Sequence, residues 1–279
     1  MRLSFIRDKL QDVRIVNFRD TEICGITPDS RLVTAGEIFA AIHGKKEDGS
    51  NYIRDAAANG AVAFVLEDGK EFYNFNNLIL SKNTRKTLAE ISSMLNKEPQ
   101  NKIECIGITG TKGKTTTAAF LSGILKSEKR LYVSLGSNGA DGVFSDSFAN
   151  TTPDASILFP FLSRAAKSKA EFAVLEMSSQ ALRDYRVFGI NTPVAIFTGI
   201  GNDHVDELEH KSFRDYLNAK RLLFSEHGVK NAIVNSDDKY SDYVSSGVEN
   251  IVKCGEGKKK RLPNNRLKKR HQRMRFFLE

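Results

Sequence analysis

The sequence predicts an α/β protein in two units: a smaller N-terminal α/β unit, then a larger one built on a mostly parallel sheet. Three observations predict it. Apolar runs of four to six residues, closed by glycine or charge, read as strands rather than helices. From residue 103 onward such runs alternate with amphipathic stretches of helical length, the pattern of a parallel sheet covered on both faces. Between the two regimes lies the polar, proline-containing stretch Lys97–Lys102, which suits a boundary. The expected division is therefore 1–98, 99–257 and a tail at 258–279.

In the first unit, Glu37–His43 and Ala61–Leu66 are the strand candidates. Between them Tyr52–Gly60 reads as a helix closed by a C-terminal glycine. Asn83–Asn96 reads as a second helix, with Asn83 or Thr84 as its N-cap and Pro99 just past its end. In the second unit the expected strands are Ile103–Ile108, Leu131–Leu135, Phe172–Met177, Val194–Thr198 and Ala232–Asn235. The expected helices are Lys114–Ser127, Ala155–Lys167 and Ser212–Phe224. No internal repeat is present, and the tail lacks apolar periodicity and is expected to be disordered.

Composition narrows the class. With 279 residues, 40% apolar and 27% charged, the chain reads as an ordinary globular protein. Its net charge of +8 is local. Of 42 Lys/Arg and 34 Asp/Glu, ten and one lie in 258–279, leaving 32 and 33 before it. The body is neutral, so nucleic-acid binding is expected at most through the tail, which has no aromatic interleaving beyond Phe276 and Phe277. Cys24, Cys105 and Cys254 form neither a metal-spaced pair nor a disulfide framework, which points to a reducing compartment. No apolar run approaches the ~18 residues of a membrane span, and the first ten residues lack a signal-peptide apolar region. A cytoplasmic location is expected.

The strongest local signal is ECIGITGTKGKTTTAAFLSGIL at 104–125. A strand runs into a glycine-rich turn, then Lys114 and Thr115, then a helix. Glycines at 107, 110 and 113 let backbone N–H groups approach a phosphate chain at a positive helix end. Lys114 would reach the β- and γ-phosphates and the Thr115 hydroxyl would ligate Mg²⁺. The strict G-x-x-x-x-G-K-S/T pattern fails at Ile108, where the first glycine belongs. Gly110, Thr111, Lys112, Gly113, Lys114, Thr115 and Thr116 are the expected nucleotide contacts.

The variant ITGTKGKTTT resembles the ATP loop of the Mur ligases, the amide-forming enzymes of peptidoglycan precursor synthesis. It departs from them at Lys112, where the family usually has Asn. Glu176 stands near the end of a predicted strand, where α/β sheets gather ligands, and could hold Mg²⁺ beside Thr115. The following SSQALRDYRV at 178–187 resembles the MurE-type ligases. That resemblance implies contacts from Ser178 and Arg186 to UDP-MurNAc-dipeptide, although Gln180 replaces the usual His. NTTPD at 150–154 matches a nucleotide-sugar-binding segment of the same type, implying roles for Asn150, Thr151 and Thr152. The Asp203–His204 pair is intact after a partly altered loop, so His204 maps to a ligand of a second Mg²⁺. Lys220 matches a lysine that the family carbamylates, a reaction open only to a neutral amine. DSRLVTAGEIFAAIHGKKEDG at 29–49 fits the family's substrate-nucleotide pattern. This places Ser30, Lys45, Lys46 and Glu47 at uridine-contacting positions.

The resemblance covers Ile23 to Asp238 in order. It implies an ATP-dependent ligase that adds a diamino acid to UDP-MurNAc-L-Ala-D-Glu through an acyl phosphate. Lys114, His204 and Lys220 would be catalytic, with ATP and Mg²⁺ as cofactors and a monomer expected. Mur ligases carry a third, Rossmann-like domain that is expected to be absent here. Activity of the short chain is therefore left open against a fragment that only binds ATP or the UDP-sugar peptide. The turn to Lys/Arg-dominated sequence suggests that 258–279 is a frameshift or truncation product. Translating the gene's other frames beyond codon 257 checks that.

Overall fold

The computed structural model describes residues 1–44, 47–69, 74–201 and 210–256. Lys45, Lys46, His204 and the 258–279 tail lie outside the described residues.

The first sheet has five strands: β1 (Val13–Val16), β2 (Gly25–Thr27), β3 (Glu37–Ala40), β4 (Ala63–Glu67) and β5 (Leu78–Ser81). Their order is β1-β5-β4-β3-β2, parallel except for β1, which runs antiparallel to β5. Among the described residues three helices accompany it: α1 (Leu3–Lys9), α2 (Ile53–Ala58) and α3 (Thr84–Leu95). The expected Tyr52–Gly60 helix forms as a 3₁₀ turn at Gly49–Tyr52 leading into the shorter α2. Asn83 caps α3 by accepting from the Lys86 N–H.

The second sheet has seven strands: β6 (Glu104–Thr109), β7 (Tyr132–Gly136), β8 (Gly139–Gly142), β9 (Phe172–Glu176), β10 (Val194–Phe197), β11 (Asn231–Asn235) and β12 (Asn250–Cys254). Their order is β12-β11-β10-β6-β9-β7-β8, and all pairs are parallel except the β7–β8 hairpin. The helices are α4 (Lys114–Ser127), α5 (Ala155–Lys167), α6 (Ser179–Arg183), α7 (Phe213–Glu226) and α8 (Ser241–Val244). The central strands are buried on both faces; β9 is buried at every residue. One apolar cluster, running from Leu3 and Ile38 through Leu88 and Leu158 to Val234, joins the two sheets into a continuous core. Among the described residues no helix is long and apolar enough to cross a membrane.

The topology fixes where ligands would gather. β6 and β9 are central, and their carboxyl ends open onto the loops that start α4 and α6. That edge is where open parallel sheets hold ligands.

Candidate functional site

The loop between β6 and α4 is shaped by glycine. Gly110 has φ +152°, and a Cβ there would sit 1.9 Å from Thr198 Oγ1 and 3.0 Å from the Gly199 carbonyl. Gly113 is the N-cap of α4 at φ +87°. Neighbouring strands hold the loop: the Thr111 N–H donates to the Gly199 carbonyl at 2.8 Å. The Thr198 hydroxyl donates to the Lys112 carbonyl at 2.6 Å.

Strand register sets Glu176 beside this loop. Ile108 pairs with Glu176, and Leu135 pairs with Leu175 on the other side. Glu176 is 1% exposed, and the Thr115 hydroxyl donates to its Oε2 at 3.0 Å. Its Oε1 accepts from the Ser137 N–H at 3.3 Å. A Cβ on Gly136 would lie 1.8 Å from Oε1, so glycine at 136 makes room for the carboxylate.

Two lysines converge on the same loop from different helices. Lys114 Nζ donates to the Gly110 and Thr111 carbonyls at 2.9 and 3.2 Å. It therefore rests on the loop rather than extending away from it. Burial lowers its pKa, and Glu176 opposes that shift by favouring the charged form. Lys220, on α7 and 1% exposed, donates to the Gly110 carbonyl at 2.8 Å. Its Nζ lies 4.3 Å from the centre of the Tyr216 ring one turn earlier. The Tyr216 hydroxyl bonds the Thr111 hydroxyl at 2.9 Å, so α7 is tied to the glycine-rich loop at two points.

The 150–152 loop and the start of α6 line the same cleft as the lysines. Thr152 is 1% exposed; its hydroxyl donates to the Glu176 carbonyl at 2.7 Å and accepts from the Ser178 N–H at 3.2 Å. Arg186 donates from one terminal nitrogen to the Thr152 carbonyl at 3.0 Å, while its Nε is buried without a hydrogen-bond partner. Thr151 and Ser137 share a hydroxyl–hydroxyl bond of 3.0 Å. Ser178 caps α6 by accepting from the Ala181 N–H.

These groups line one cleft of about 200 Å³, made by Gly110, Lys114, Asn150, Thr151, Thr152, Ser178, Arg186 and Lys220 together with Ser179, Gln180 and Tyr216. Eight residues singled out by sequence thus meet in one place. Ser30 and Glu47 do not line it. Ser30 opens a 3₁₀ turn beside the first sheet, where its carbonyl accepts from Asn59. Glu47 accepts from the Tyr52 hydroxyl at 2.7 Å. Sequence reasoning missed Ser179, Tyr216, Gly136 and Ser137. Tyr216 was signalled by its i, i+4 spacing to Lys220, and Ser179 by its place after Ser178.

A cation's fit follows from donor chemistry. The described residues form no cluster of three or more His, Cys, Asp or Glu. Thr115 and Glu176 supply a hydroxyl and a carboxylate within hydrogen-bond distance of each other. Magnesium bound through one or two protein oxygens, with phosphates and waters completing its shell, suits such a pair.

Comparison with known proteins agrees in sequence and in shape. Residues 22–99 match the family model described as Mur ligase family, catalytic domain, and residues 108–279 match Mur ligase middle domain. The second match continues past Asp238, where motif-level resemblance stops. A Bacillus cereus relative named UDP-N-acetylmuramoyl-L-alanyl-D-glutamate--2,6-diaminopimelate ligase is 34% identical over 264 residues, covering 91% of this chain and 53% of the relative. A Clostridium botulinum relative of the same name is 33% identical over 254 residues, covering 88% and 48%. A solved structure of a ligase of that name superposes with a TM-score of 0.72 at 26% identity, covering 85% of this chain and 49% of the other. The MurF ligase of Thermotoga maritima, solved with ADP, shares the fold at a TM-score of 0.56 and 23% identity, covering 84% and 51%. The chain spans about half the length of the curated relatives it matches. With the middle-domain model matched over 108–279, more than half of its residues, the chain belongs to the Mur ligase family.

Proposed function

We propose that this chain carries the phosphate site and the acceptor-binding wall of an ATP-dependent ligase that adds a diamino acid to UDP-MurNAc-L-Ala-D-Glu. The observation that carries the reading is the shared cleft. Lys114 and Lys220 line it together with Thr152, Ser178 and Arg186. The names of the relatives support the same substrate pair.

In this reaction an oxygen of the acceptor's terminal carboxylate attacks the γ-phosphorus of ATP, and ADP leaves. The amine then attacks the acyl carbon, phosphate departs, and the nitrogen loses a proton to give the amide. The protein's part is positioning and charge neutralisation. Loop N–H groups and the start of α4 receive the phosphates. Lys114 exchanges its loop carbonyls for phosphate oxygens and neutralises the transferring group. Arg186, with a buried Nε to satisfy, holds acceptor oxygens, and Asn150 and Thr151 line the acceptor side. Ser30 and Glu47 belong to the proposed 1–98 unit, which would bind the uridine end. Lys45, Lys46 and His204 keep their proposed roles from sequence alone.

Thr115 and Glu176 would hold Mg²⁺, which when bound neutralises phosphate charge. Lys220 suits carbamylation because the product keeps one N–H for the Gly110 carbonyl and gains two acceptor oxygens in the cleft that Lys114 and Arg186 also line. A monomeric, cytoplasmic enzyme completes the proposal. The test is phosphate release from ATP with UDP-MurNAc-L-Ala-D-Glu and each diamino acid in turn. The wild-type chain is expected to release phosphate only with the dipeptide present, and Lys114→Ala is expected to release none. Equal release by Lys114→Ala contradicts the loop assignment.

A further inference from the structure

We propose that Ser179 reads a hydrogen-bond donor on the acceptor peptide, and that His210 is the positioning residue that fixes the polarity of its hydroxyl. The proposal rests on the ligase reading above. Ser179 is the first residue of α6, is 7% exposed and lines the cleft. Its Oγ lies 2.9 Å from Nε2 of His210, a residue 2% exposed. The His210 ring packs 4.9 Å from the Tyr216 ring, and its Nδ1 lies 3.5 Å from Asp215 Oδ2, within reach of charge attraction but outside hydrogen-bond geometry.

Asp215 is itself held in place at the start of α7. Ser212 Oγ accepts from the Asp215 N–H at 3.1 Å, and Asp215 Oδ2 accepts from the Lys211 N–H at 3.3 Å. This reciprocal cap fixes a negative charge beside Nδ1. A carboxylate there favours the tautomer protonated on Nδ1, which leaves the Nε2 lone pair as an acceptor. The Ser179 hydroxyl then donates to Nε2, and its oxygen lone pairs are what remain for the cleft.

A lone pair recognises an N–H or O–H. Across the same wall the Arg186 guanidinium is a pure donor. An acceptor at Ser179 and a donor at Arg186 are thus both present on the acceptor side, matched to a peptide that carries both amide N–H groups and carboxylates. Ser178 Oγ already commits one lone pair to capping α6, whereas donation to His210 leaves both lone pairs of Ser179 Oγ for the cleft.

Calorimetric titration with UDP-MurNAc-L-Ala-D-Glu, and separately with ADP and Mg²⁺, tests it on wild type, Ser179→Ala, His210→Ala, His210→Gln and the Ser179→Ala/His210→Ala double variant. Ser179→Ala and His210→Ala should each weaken dipeptide binding about tenfold, the loss of one hydrogen bond left without a partner. The double variant should be no weaker than Ser179→Ala, because the two residues act as one unit. His210→Gln should recover most of the affinity, and ADP binding should stay within about twofold throughout. Ser179→Ala places alanine where a helix favours it, and so carries the test even where His210→Ala loses ADP binding. Unchanged dipeptide affinity in Ser179→Ala, or additive losses in the double variant, overturns the proposal. A wild-type chain that binds ADP but not the dipeptide overturns the ligase reading itself, and this inference with it.

Discussion

The candidate residues at the two sheets are held in different ways. Around the first sheet most polar contacts are local: Asp29 caps the turn holding Ser30, Asp48 binds Ser50, and Tyr52 binds Glu47. At the second sheet the partners are distant in sequence: Thr115 with Glu176, Thr111 with Tyr216, Gly110 with Lys220. Local turns form from short stretches of chain, although Ser30 and Ser50 in them are themselves buried. The distant contacts exist only once the sheet is assembled, and they hold Glu176 and Lys220 at 1% exposure. Buried charges need partners, so fold and site depend on each other there. Substitutions at the second sheet should therefore disturb stability and ligand binding together, and those at the first should disturb binding at a smaller cost in stability.

Gly110→Ala should give the largest combined effect, because the new Cβ meets Thr198 Oγ1 and the Gly199 carbonyl at a strained φ. About 2–3 kcal/mol of stability should be lost, with nucleotide binding lost as well, measured by denaturant unfolding and calorimetry. Glu176→Gln keeps the shape but removes the charge that Lys114 faces. It should abolish the Mg²⁺ dependence of nucleotide binding at a cost of about 1–2 kcal/mol in stability. His227 sharpens the burial side of the comparison. Burial holds this imidazole below its ordinary 6.5, only partly opposed by its bond to the Ile190 carbonyl. The unfolded chain thus takes up the proton first, so stability is complete above about pH 6.5 and falls as pH drops below it. Denaturation midpoints at pH 7.5 and 5 should differ in that direction, and less so in His227→Asn. Ser30→Ala should be the mildest, within about 0.5–1 kcal/mol of wild type, with dipeptide affinity reduced and ADP affinity unchanged. Equal losses of both ligands in that variant would erase the distinction between the regions.

Much of this organisation is legible in the sequence. The ranges of α4 and α5 are those read from sequence, because each has a clear start signal and helical periodicity. The phosphate loop was legible because glycine, lysine and threonine there serve backbone geometry and charge at fixed spacing. What escaped was structure created by pairing. β8 is the sequence GADG, which has no strand propensity and forms only as the antiparallel partner of β7. β12 is exposed along its length, so no alternation marks it, and α6 is five residues long. The same limit applies within the site. Gly136 looks like any turn glycine until β7 lies beside β9 and the Glu176 carboxylate needs its space. The Ser179–His210 contact joins residues 31 positions apart and follows from no local pattern.

On this proposal one cleft holds the nucleotide phosphates at the 110–115 loop and the UDP-MurNAc-dipeptide at Thr152, Ser178 and Arg186. Titration of the wild-type chain with a non-hydrolysable ATP analogue and Mg²⁺, with and without saturating UDP-MurNAc-L-Ala-D-Glu, tests it most directly. Both ligands should bind together, Lys114→Ala should lose the nucleotide while keeping the dipeptide, and Arg186→Ala should do the reverse. Nucleotide affinity that is the same in wild type and Lys114→Ala would contradict the account.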